Sequence, residues 1–158
     1  MIDRRTLLGA GSASVAAVLL FGGSTGAAAA RFPVTKTSAQ WLRQLGPERF
    51  RILRQAGTER AGSSPLNNEH RRGRFVCVAD GNPLFSSTTK YDSGTGWPSF
   101  YRALPGAVVT RGDRSLFFGT EILCGRCGGH LGHVFNDGPK PTGLRYCMNG
   151  LALRFQPA

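Results

Sequence analysis

The sequence predicts a single domain of mostly antiparallel β-structure, with short helices near its N terminus. The chain has 158 residues, of which 41% are hydrophobic, and both values are typical of a protein with one packed core. Helical spacing of apolar residues is confined to the segment before residue 60. From Arg74 onward, short apolar runs alternate with Gly, Pro, Asn and Asp, which is the pattern of short strands joined by turns.

Residues 1–30 are predicted to be an export signal of the twin-arginine type and not part of the fold. The segment begins with the pair Arg4 and Arg5, continues with an apolar stretch, and ends with small residues suited to cleavage at Ala28 to Ala30. An uncleaved membrane anchor is the alternative, which the short and interrupted apolar run disfavours. We therefore expect an exported protein that is periplasmic or otherwise extracytoplasmic.

Residues 31–36 are predicted to form a linker, and residues 37–158 to form one folded domain. The domain begins with "SAQWLRQLGPERFRILRQAGTER", in which apolar residues have helical spacing on both sides of Gly46 and Pro47. Because a Gly-Pro pair interrupts a helix, we expect two short helices here.

Six later segments have the composition of strands: "RFVCVAD", "PLFSS", "AVVT", "SLFFGTEI", "HVFND" and "LRYCMN". In the last of them, Arg145, Cys147 and Asn149 share one face, and the apolar even-numbered residues share the other. After Gly150 the apolar residues change parity, which predicts a bulge or bend at this glycine. A thiol flanked by Arg and Asn on its own face is unlike an inert core cysteine, since a nearby cation favours the thiolate.

The chain is strongly basic, with a net charge of +11. Its arginines are spread from Arg31 to Arg154 and form no stripe along a helix. This distribution predicts a solvated basic surface and no nucleic-acid groove. An electrostatic preference for anionic surfaces or acidic protein segments stays open.

The chemistry-bearing residues are concentrated in the last third of the chain. Cys124 and Cys127 form a C-x-x-C pair, and His130, His133 and Asp137 lie between this pair and Cys147. A histidine beside a thiol can hold it as thiolate and deliver a proton to a developing oxyanion. Two disulfides are the ordinary expectation for an exported protein with four cysteines, and histidines are often structural, so spacing alone leaves these alternatives open.

Three segments resemble the B-type methionine sulfoxide reductases, which reduce the R epimer of methionine sulfoxide. They are "TKYDSGTGWPSF", "CGRCGGHLGHVFNDGPKPTGLRYCMN" and "LALRF", and the resemblance extends from Trp41 to Phe155. It implies a mostly β fold of two small antiparallel sheets, tent-like in arrangement, with short N-terminal helices. It also implies a thiol-dependent, monomeric enzyme that repairs oxidised proteins or peptides and is itself reduced by a thioredoxin-like or other external thiol.

The resemblance implies roles for eight residues of one site. Cys147 is the expected nucleophile, which attacks the sulfoxide sulfur as a thiolate and becomes a sulfenic acid. The other expected catalytic residues are His133, His130, Asp137 and Arg145, with the histidines assisting protonation of the oxygen. The expected substrate-binding residues are Trp97, Phe135 and Asn149, of which Trp97 receives the methyl group. For Trp97 and Phe135, plain core packing is the alternative.

The resemblance further implies a structural zinc site, but one of its two C-x-x-C pairs is incomplete. Cys124 and Cys127 are intact, whereas the other pair reads "CVAD", with Cys77 and Asp80 in the ligand positions. A carboxylate can ligate zinc, so a site of three cysteines and one aspartate is chemically allowed. In the alternative, the protein is metal-free, Cys124 and Cys127 pair or serve recycling, and Cys77 is buried. No organic cofactor is expected, since the glycines of "DSGTGWPSF" lack the strand-to-helix setting of a nucleotide loop.

Thr95 stands where many relatives place a resolving cysteine, so the local disulfide route is absent. Either an external thiol reduces the sulfenic acid, or one of the three remaining cysteines reaches it. Two other functions remain as alternatives: a zinc-stabilised binding module without catalysis, and a reductase for free methionine sulfoxide or another sulfoxide.

Overall fold

The computed structural model describes residues 32–115 and 119–158. The predicted export signal lies outside the described residues, as do residues 116–118 of the predicted strand "SLFFGTEI". The signal and the location that it implies therefore stay predictions. Within the part of the chain that the structure describes, no helix is long and apolar enough to cross a membrane.

Helix α1 (Ser38–Gln55) begins with a capping box and is broken in its middle. The Thr37 hydroxyl accepts a hydrogen bond from the Gln40 amide, and the Gln40 side chain accepts one from the Thr37 amide. Gly46 adopts φ 72° and ψ 168°, a conformation outside the helical region that glycine tolerates best. The predicted break is thus confirmed, although the two halves follow one another as one kinked element. Its buried residues are Trp41, Leu45, Ile52 and Leu53.

In the described residues, nine strands form two antiparallel sheets, which confirms the predicted fold class. The first sheet has the order β2-β1-β9, and the second has the order β3-β4-β8-β7-β6-β5. The strands are β1 (Gly73–Cys77), β2 (Pro83–Ser86), β3 (Lys90–Tyr91), β4 (Ser99–Phe100), β5 (Val108–Ser115), β6 (Gly119–Cys124), β7 (His130–Phe135), β8 (Arg145–Met148) and β9 (Leu153–Pro157). Short 3-10 turns lie at Pro65–Asn68, Ser87–Thr89 and Gly150–Ala152.

Three fully buried aromatic rings join the two sheets. Phe85 of β2 stacks on Phe100 of β4 with ring centroids 4.3 Å apart, and Phe75 of β1 meets the edge of Phe100 at 4.9 Å. Such aromatic pairs stabilise the folded state by more than the burial of their apolar area alone. These rings and the buried face of α1 belong to one hydrophobic cluster, so the core lies between the sheets and the helix.

The change of parity predicted at Gly150 is the point where the chain leaves one sheet for the other. The 3-10 turn Gly150–Ala152 carries it from β8 in the second sheet to β9 in the first. A Cβ atom at Gly150 would lie 1.9 Å from Oγ and 2.5 Å from Cβ of Ser64, so a larger residue here would require the backbone to shift. The buried carboxylate of Glu59 accepts hydrogen bonds from the amides of Gly150 and Leu151 at 2.5 and 2.9 Å, which fixes the turn.

Part of the segment predicted as a linker contacts the domain. The Val34 amide donates a hydrogen bond to the Arg126 carbonyl oxygen at 2.9 Å. The Phe32 ring lies so close to Gly128 that a Cβ atom there would be 2.4 Å from it. The segment therefore covers the loop that carries Cys127.

Candidate active site

A row of directly opposed residues crosses the six-stranded sheet, with one member on each strand. Opposed residues in antiparallel strands project from the same face, so the row places its side chains together. Cys147 of β8 lies between His133 of β7 and Ser99 of β4. In order from β3 to β5, the row is Tyr91, Ser99, Cys147, His133, Glu121 and Arg111.

A bulge in β7 brings both predicted histidines to one face. His130 and His133 are three residues apart, so in a regular strand they would project to opposite faces. The pairing of β7 with β6 shifts between Gly132 and His130, which leaves Leu131 as the extra residue. As a result, the two imidazole rings lie 5.3 Å apart. The signal for this bulge in the sequence is a glycine in the interior of a strand.

His130 is buried behind the cleft and is held by Glu121, a residue that belongs to no motif in the sequence. Only 3% of its side chain is exposed, and Nδ1 lies 2.8 Å from Oε1 of Glu121. Arg111 donates two further hydrogen bonds to this carboxylate, at 2.7 and 2.9 Å. Burial acts to raise the pKa of Glu121, but the hydrogen bonds from Arg111 and His130 outweigh it and hold that pKa below its usual range. The ionised carboxylate therefore fixes the hydrogen on Nδ1 of His130.

Five of the predicted site residues surround a cleft of about 150 Å³. They are Trp97, His133, Phe135, Cys147 and Asn149, and Thr58 and Gly132 complete the lining. Gly132 permits close packing here, because a Cβ atom would lie 2.2 Å from the Cys147 carbonyl oxygen. The cleft is smaller than the usual pocket for a whole ligand, so its size suits the end of one side chain.

The segment before Arg60 positions two walls of the cleft, and nothing in its sequence indicated this. The Trp97 indole Nε1 donates to the Glu59 carbonyl oxygen at 3.2 Å. The Glu59 amide donates to Oδ1 of Asn149 at 3.0 Å, and Nδ2 of Asn149 donates to the Leu131 carbonyl oxygen at 3.3 Å. Asn149 is 3% exposed, so these bonds fix its orientation in the buried wall.

Arg145 and Asp137 form an ion pair beside the cleft and do not line it. Arg145 donates from Nε and Nη2 to the two carboxylate oxygens of Asp137, at 2.9 and 2.7 Å. These hydrogen bonds lower the pKa of Asp137. The guanidinium lies 4.2 Å from the centroid of the Phe135 ring. Arg145 therefore packs against Phe135 in the cleft wall and brings a positive charge near Cys147. Asp137 holds the Arg145 guanidinium in place through the two hydrogen bonds that it accepts.

The four predicted metal ligands form a second cluster, away from the cleft. One donor atom from each of Cys77, Asp80, Cys124 and Cys127 lies within 4.8 Å of all the others. Zinc–sulfur bonds of about 2.3 Å and zinc–oxygen bonds of about 2.1 Å place tetrahedral ligands about 3.8 Å (S to S) and about 3.6 Å (S to O) apart. Sγ of Cys77 and Sγ of Cys127 are 3.8 Å apart, and Sγ of Cys124 and Oδ2 of Asp80 are 3.5 Å apart. The donor spacing therefore fits a tetrahedral metal ion.

The electrostatics of the cluster also favour a cation. Hydrogen bonds from Cys127 and Cys77 lower the pKa of Cys124, and the same contact with Cys124 raises the pKa of Cys77 far above its usual range. Three thiolates this close cannot ionise together without a positive charge between them. All four cysteines of the chain lie in the described residues, and none is in a disulfide. The pairing of Cys124 with Cys127, which belongs to the metal-free alternative, is thus not seen.

Comparisons with known proteins agree with this geometry. A family model described as the SelR domain matches residues 45–157. A peptide methionine sulfoxide reductase MsrB of Leptospira interrogans is 54% identical over 127 residues, which cover 79% of this chain and 97% of the relative. The chain belongs to the SelR (MsrB) family. An MsrB of Thiobacillus denitrificans is 56% identical over 77% of this chain and 94% of its own, and one of Agrobacterium fabrum is 51% identical over 78% and 93%.

Within this MsrB chain, the predicted site residues fall into three groups. Cys147, His133, Trp97, Phe135 and Asn149 meet at the cleft. His130, Arg145 and Asp137 lie beside or behind it, where they contact other residues of the site. Cys77, Asp80, Cys124 and Cys127 form the metal cluster. The geometry thus separates residues that can touch a substrate from those that can only position others.

Glu121→Gln is expected to destabilise the protein more than Arg111→Gln. The first change removes the charge that the buried His130 faces, and a lost hydrogen bond to a charged group costs roughly 2 kcal/mol. The second change removes the Arg111 guanidinium that pairs with Glu121. The Arg111 side chain is 62% exposed, and such surface ion pairs contribute about 1 kcal/mol or less to the free energy of unfolding. Urea unfolding at pH 7 measures both changes in the free energy of unfolding. Equal losses for the two variants would show that Glu121 does not act through His130.

Proposed function

We propose that the protein reduces the R epimer of methionine sulfoxide in oxidised proteins to methionine, and so repairs oxidative damage. Membership of the MsrB family supports this activity. The single observation that carries it is the thiol of Cys147 opposite His133 in a small cleft with apolar walls. A binding module without catalysis has no use for this pairing, so the reductase is favoured.

The chemical step transfers one oxygen atom from the substrate sulfur to the sulfur of Cys147. The Cys147 thiolate attacks the sulfoxide sulfur and forms an S–S bond while the sulfoxide oxygen is protonated. The oxygen then moves to the Cys147 sulfur as a hydroxyl group, so that an S–O bond forms at Cys147 as the S–S bond and the substrate S–O bond break. The products are methionine and a cysteine sulfenic acid. The two electrons that reduce the substrate come from the Cys147 sulfur, so no organic cofactor enters the balance. Two equivalents of a thiol then return the sulfenic acid to the thiol and release water and a disulfide.

His133 is suited to carry the proton of this step. Burial lowers the pKa of His133, and the nearby His130 acts in the same direction. The imidazole is therefore neutral at pH 7 and can accept the proton of the Cys147 thiol. The resulting imidazolium can donate it to the substrate oxygen as the S–O bond breaks. His130 does not line the cleft, but its ring packs edge-on against the His133 ring at 5.3 Å.

Substrate recognition needs an apolar wall and one hydrogen-bonding side. The sulfoxide group is neutral, so its methyl group requires burial and no charged partner. Trp97 and Phe135 supply the apolar surface, and His133 supplies the hydrogen-bonding side. Asn149 completes the wall with an amide that is already bonded to the backbone of Glu59 and Leu131. The small volume of the cleft admits the end of a methionine side chain from a protein or peptide.

Recycling by an external thiol is favoured over an internal disulfide. Cys124 lies two strands from β8 and three residues along β6 from Glu121, which is in the row of Cys147. With strands about 4.8 Å apart and about 3.4 Å per residue, the Cα atoms of Cys124 and Cys147 are separated by roughly 14 Å. A disulfide needs about 4.4 to 6.8 Å. A small thiol or a thioredoxin-like protein is therefore the proposed reductant.

The second cluster is proposed to hold structural zinc. Cys77, Cys124, Cys127 and Asp80 would be the ligands, and three sulfurs with one oxygen match the preference of this metal. When bound, the ion would join β1, the turn after it and the C-x-x-C loop. The amide Nδ2 of Asn82 donates to Sγ of Cys124 at 3.5 Å and so supports one ligand. This site contributes stability and takes no part in the sulfoxide chemistry.

Purified protein with dithiothreitol should reduce a peptide that contains the R epimer of methionine sulfoxide and leave the S epimer unchanged. Cys147→Ser should abolish turnover, at least about 10³-fold, because the alcohol is a far weaker nucleophile at this pH. Chromatographic separation of the epimers measures the activity, and circular dichroism checks that the variant is folded. Turnover by the serine variant, or equal rates on both epimers, would contradict the proposal. A faster rate on the free amino acid would favour the alternative substrate.

Asp80→Ala should lose zinc, whereas Asp92→Ala should retain it. The two aspartates make the same turn contact, since Oδ1 accepts the amide two residues later, Asn82 at 3.0 Å and Gly94 at 2.9 Å. Only Asp80 lies in the donor cluster. Metal analysis after dialysis against a chelator measures the zinc content, and the melting temperature of Asp80→Ala should fall. Equal retention of zinc by both variants would remove Asp80 from the ligand set.

A further inference from the structure

The Cys147 sulfur lies at one end of a chain of hydroxyl groups that no part of the proposed reaction yet uses. Oγ1 of Thr95 is 3.7 Å from Sγ of Cys147 and 2.8 Å from Oγ of Ser93. Oγ of Ser93 is 2.7 Å from Oγ of Ser99, which donates to the Trp97 carbonyl oxygen at 3.1 Å. The chain therefore connects the thiol to a backbone carbonyl through three side chains.

The number of hydrogens in this chain depends on the state of Cys147. The chain has four contacts, which join Cys147 to Thr95, Thr95 to Ser93, Ser93 to Ser99, and Ser99 to the Trp97 carbonyl oxygen. While Cys147 is a thiol, four hydrogens are available for them, three from the hydroxyls and one from the sulfur. Each group then donates away from Cys147, and the last hydrogen is accepted by the Trp97 carbonyl oxygen. When the thiol loses its proton to a base, three hydrogens remain for four contacts. A contact between two lone pairs is unfavourable, so the hydroxyls must rearrange.

The arrangement that best suits a thiolate is the reversed one. A hydrogen bond to an ionised acceptor is about twice as strong as one between neutral groups, so the hydroxyl of Thr95 turns toward the sulfur. Ser93 then donates to Thr95, and Ser99 donates to Ser93. The contact without a hydrogen moves to the far end, between Ser99 and the Trp97 carbonyl oxygen, where no ion is involved.

We infer that Thr95 is a positioning residue whose hydroxyl stabilises the Cys147 thiolate, and that Ser93 and Ser99 hold this hydroxyl in the donating orientation. The inference rests on the proposed role of Cys147 as the nucleophile. It gives a function to the threonine at the position where the family resemblance implies a resolving cysteine in many relatives. A hydroxyl at this position cannot form a disulfide, but it can favour the reactive state of the thiol.

Other charged and titratable groups face Cys147, and they are unchanged in the variants that test the inference. They are His133 on β7, Arg145 on the same strand, Asp137 paired with Arg145, and Tyr91 on β3. None of them contacts Thr95 by a hydrogen bond within the described residues. A change at Thr95 therefore isolates the effect of its hydroxyl from the effect of these charges.

The test compares Thr95→Val with Thr95→Ser in the full-length protein. Valine keeps the branched shape and removes the hydroxyl, whereas serine keeps the hydroxyl and removes a methyl group. The rate at which iodoacetamide alkylates Cys147 is measured from pH 5 to pH 10, and mass spectrometry of the Cys147 peptide excludes signal from the other cysteines. For Thr95→Val, the pH of half-maximal rate should rise by about one unit, which is the effect of about 1.4 kcal/mol. For Thr95→Ser, it should match the parent protein.

Ser93→Ala supplies a second variant that leaves Thr95 in place. It should shift the midpoint in the same direction by less, and it should add nothing to the shift of Thr95→Val, because Ser93 acts through Thr95. An unchanged midpoint in folded Thr95→Val, or equal shifts in the valine and serine variants, would overturn the inference. Alkylation needs no sulfoxide, so these outcomes are distinct from a failure of the parent protein to reduce its substrate.

Discussion

The pairing register of β7 with β8 is the constraint on which the whole site depends. It places Cys147 opposite His133, and a slip of one residue would move every side chain of β8 to the other face of the sheet. The register is fixed by the packing of the even-numbered side chains of β8. Met148 is fully buried and Tyr146 packs against Phe85, which commits the even-numbered face to the core. The thiol is therefore held at the cleft by hydrophobic packing on the opposite face of its own strand.

The carboxylates of Glu59, which is buried, and Glu121, which is partly buried, position further parts of the site. Glu121 fixes His130 behind the cleft, and Glu59 fixes the turn after β8 while its backbone holds Trp97 and Asn149. Each carboxylate accepts hydrogen bonds from more than one partner, which offsets the cost of burying a charge. The cleft is thus built by groups that never touch the substrate. Because they come from distant parts of the chain, the site forms only in the folded domain.

The sequence predicted the features that local pattern controls. The parity of Arg145 and Cys147, the break at Gly46 and the turn at Gly150 all follow from strand periodicity or from glycine, and the structure confirms them. Strands β3 and β4 were missed because two residues are too few to show an alternation. The bulge that turns His130 to the face of His133 was also missed, since a register shift belongs to a pair of strands. Glu59 and Glu121 carry no motif, and only their long-range contacts reveal their roles.

Cys147 reacts alone, in a cleft separated from the other three cysteines. The state of the four cysteines after a single turnover without reductant tests it most directly. Mass spectrometry should find Cys147 as the only modified cysteine, trapped by dimedone as the adduct of its sulfenic acid, with the thiol count reduced by one. A disulfide between Cys147 and Cys77, Cys124 or Cys127, with loss of a second thiol, would contradict the account.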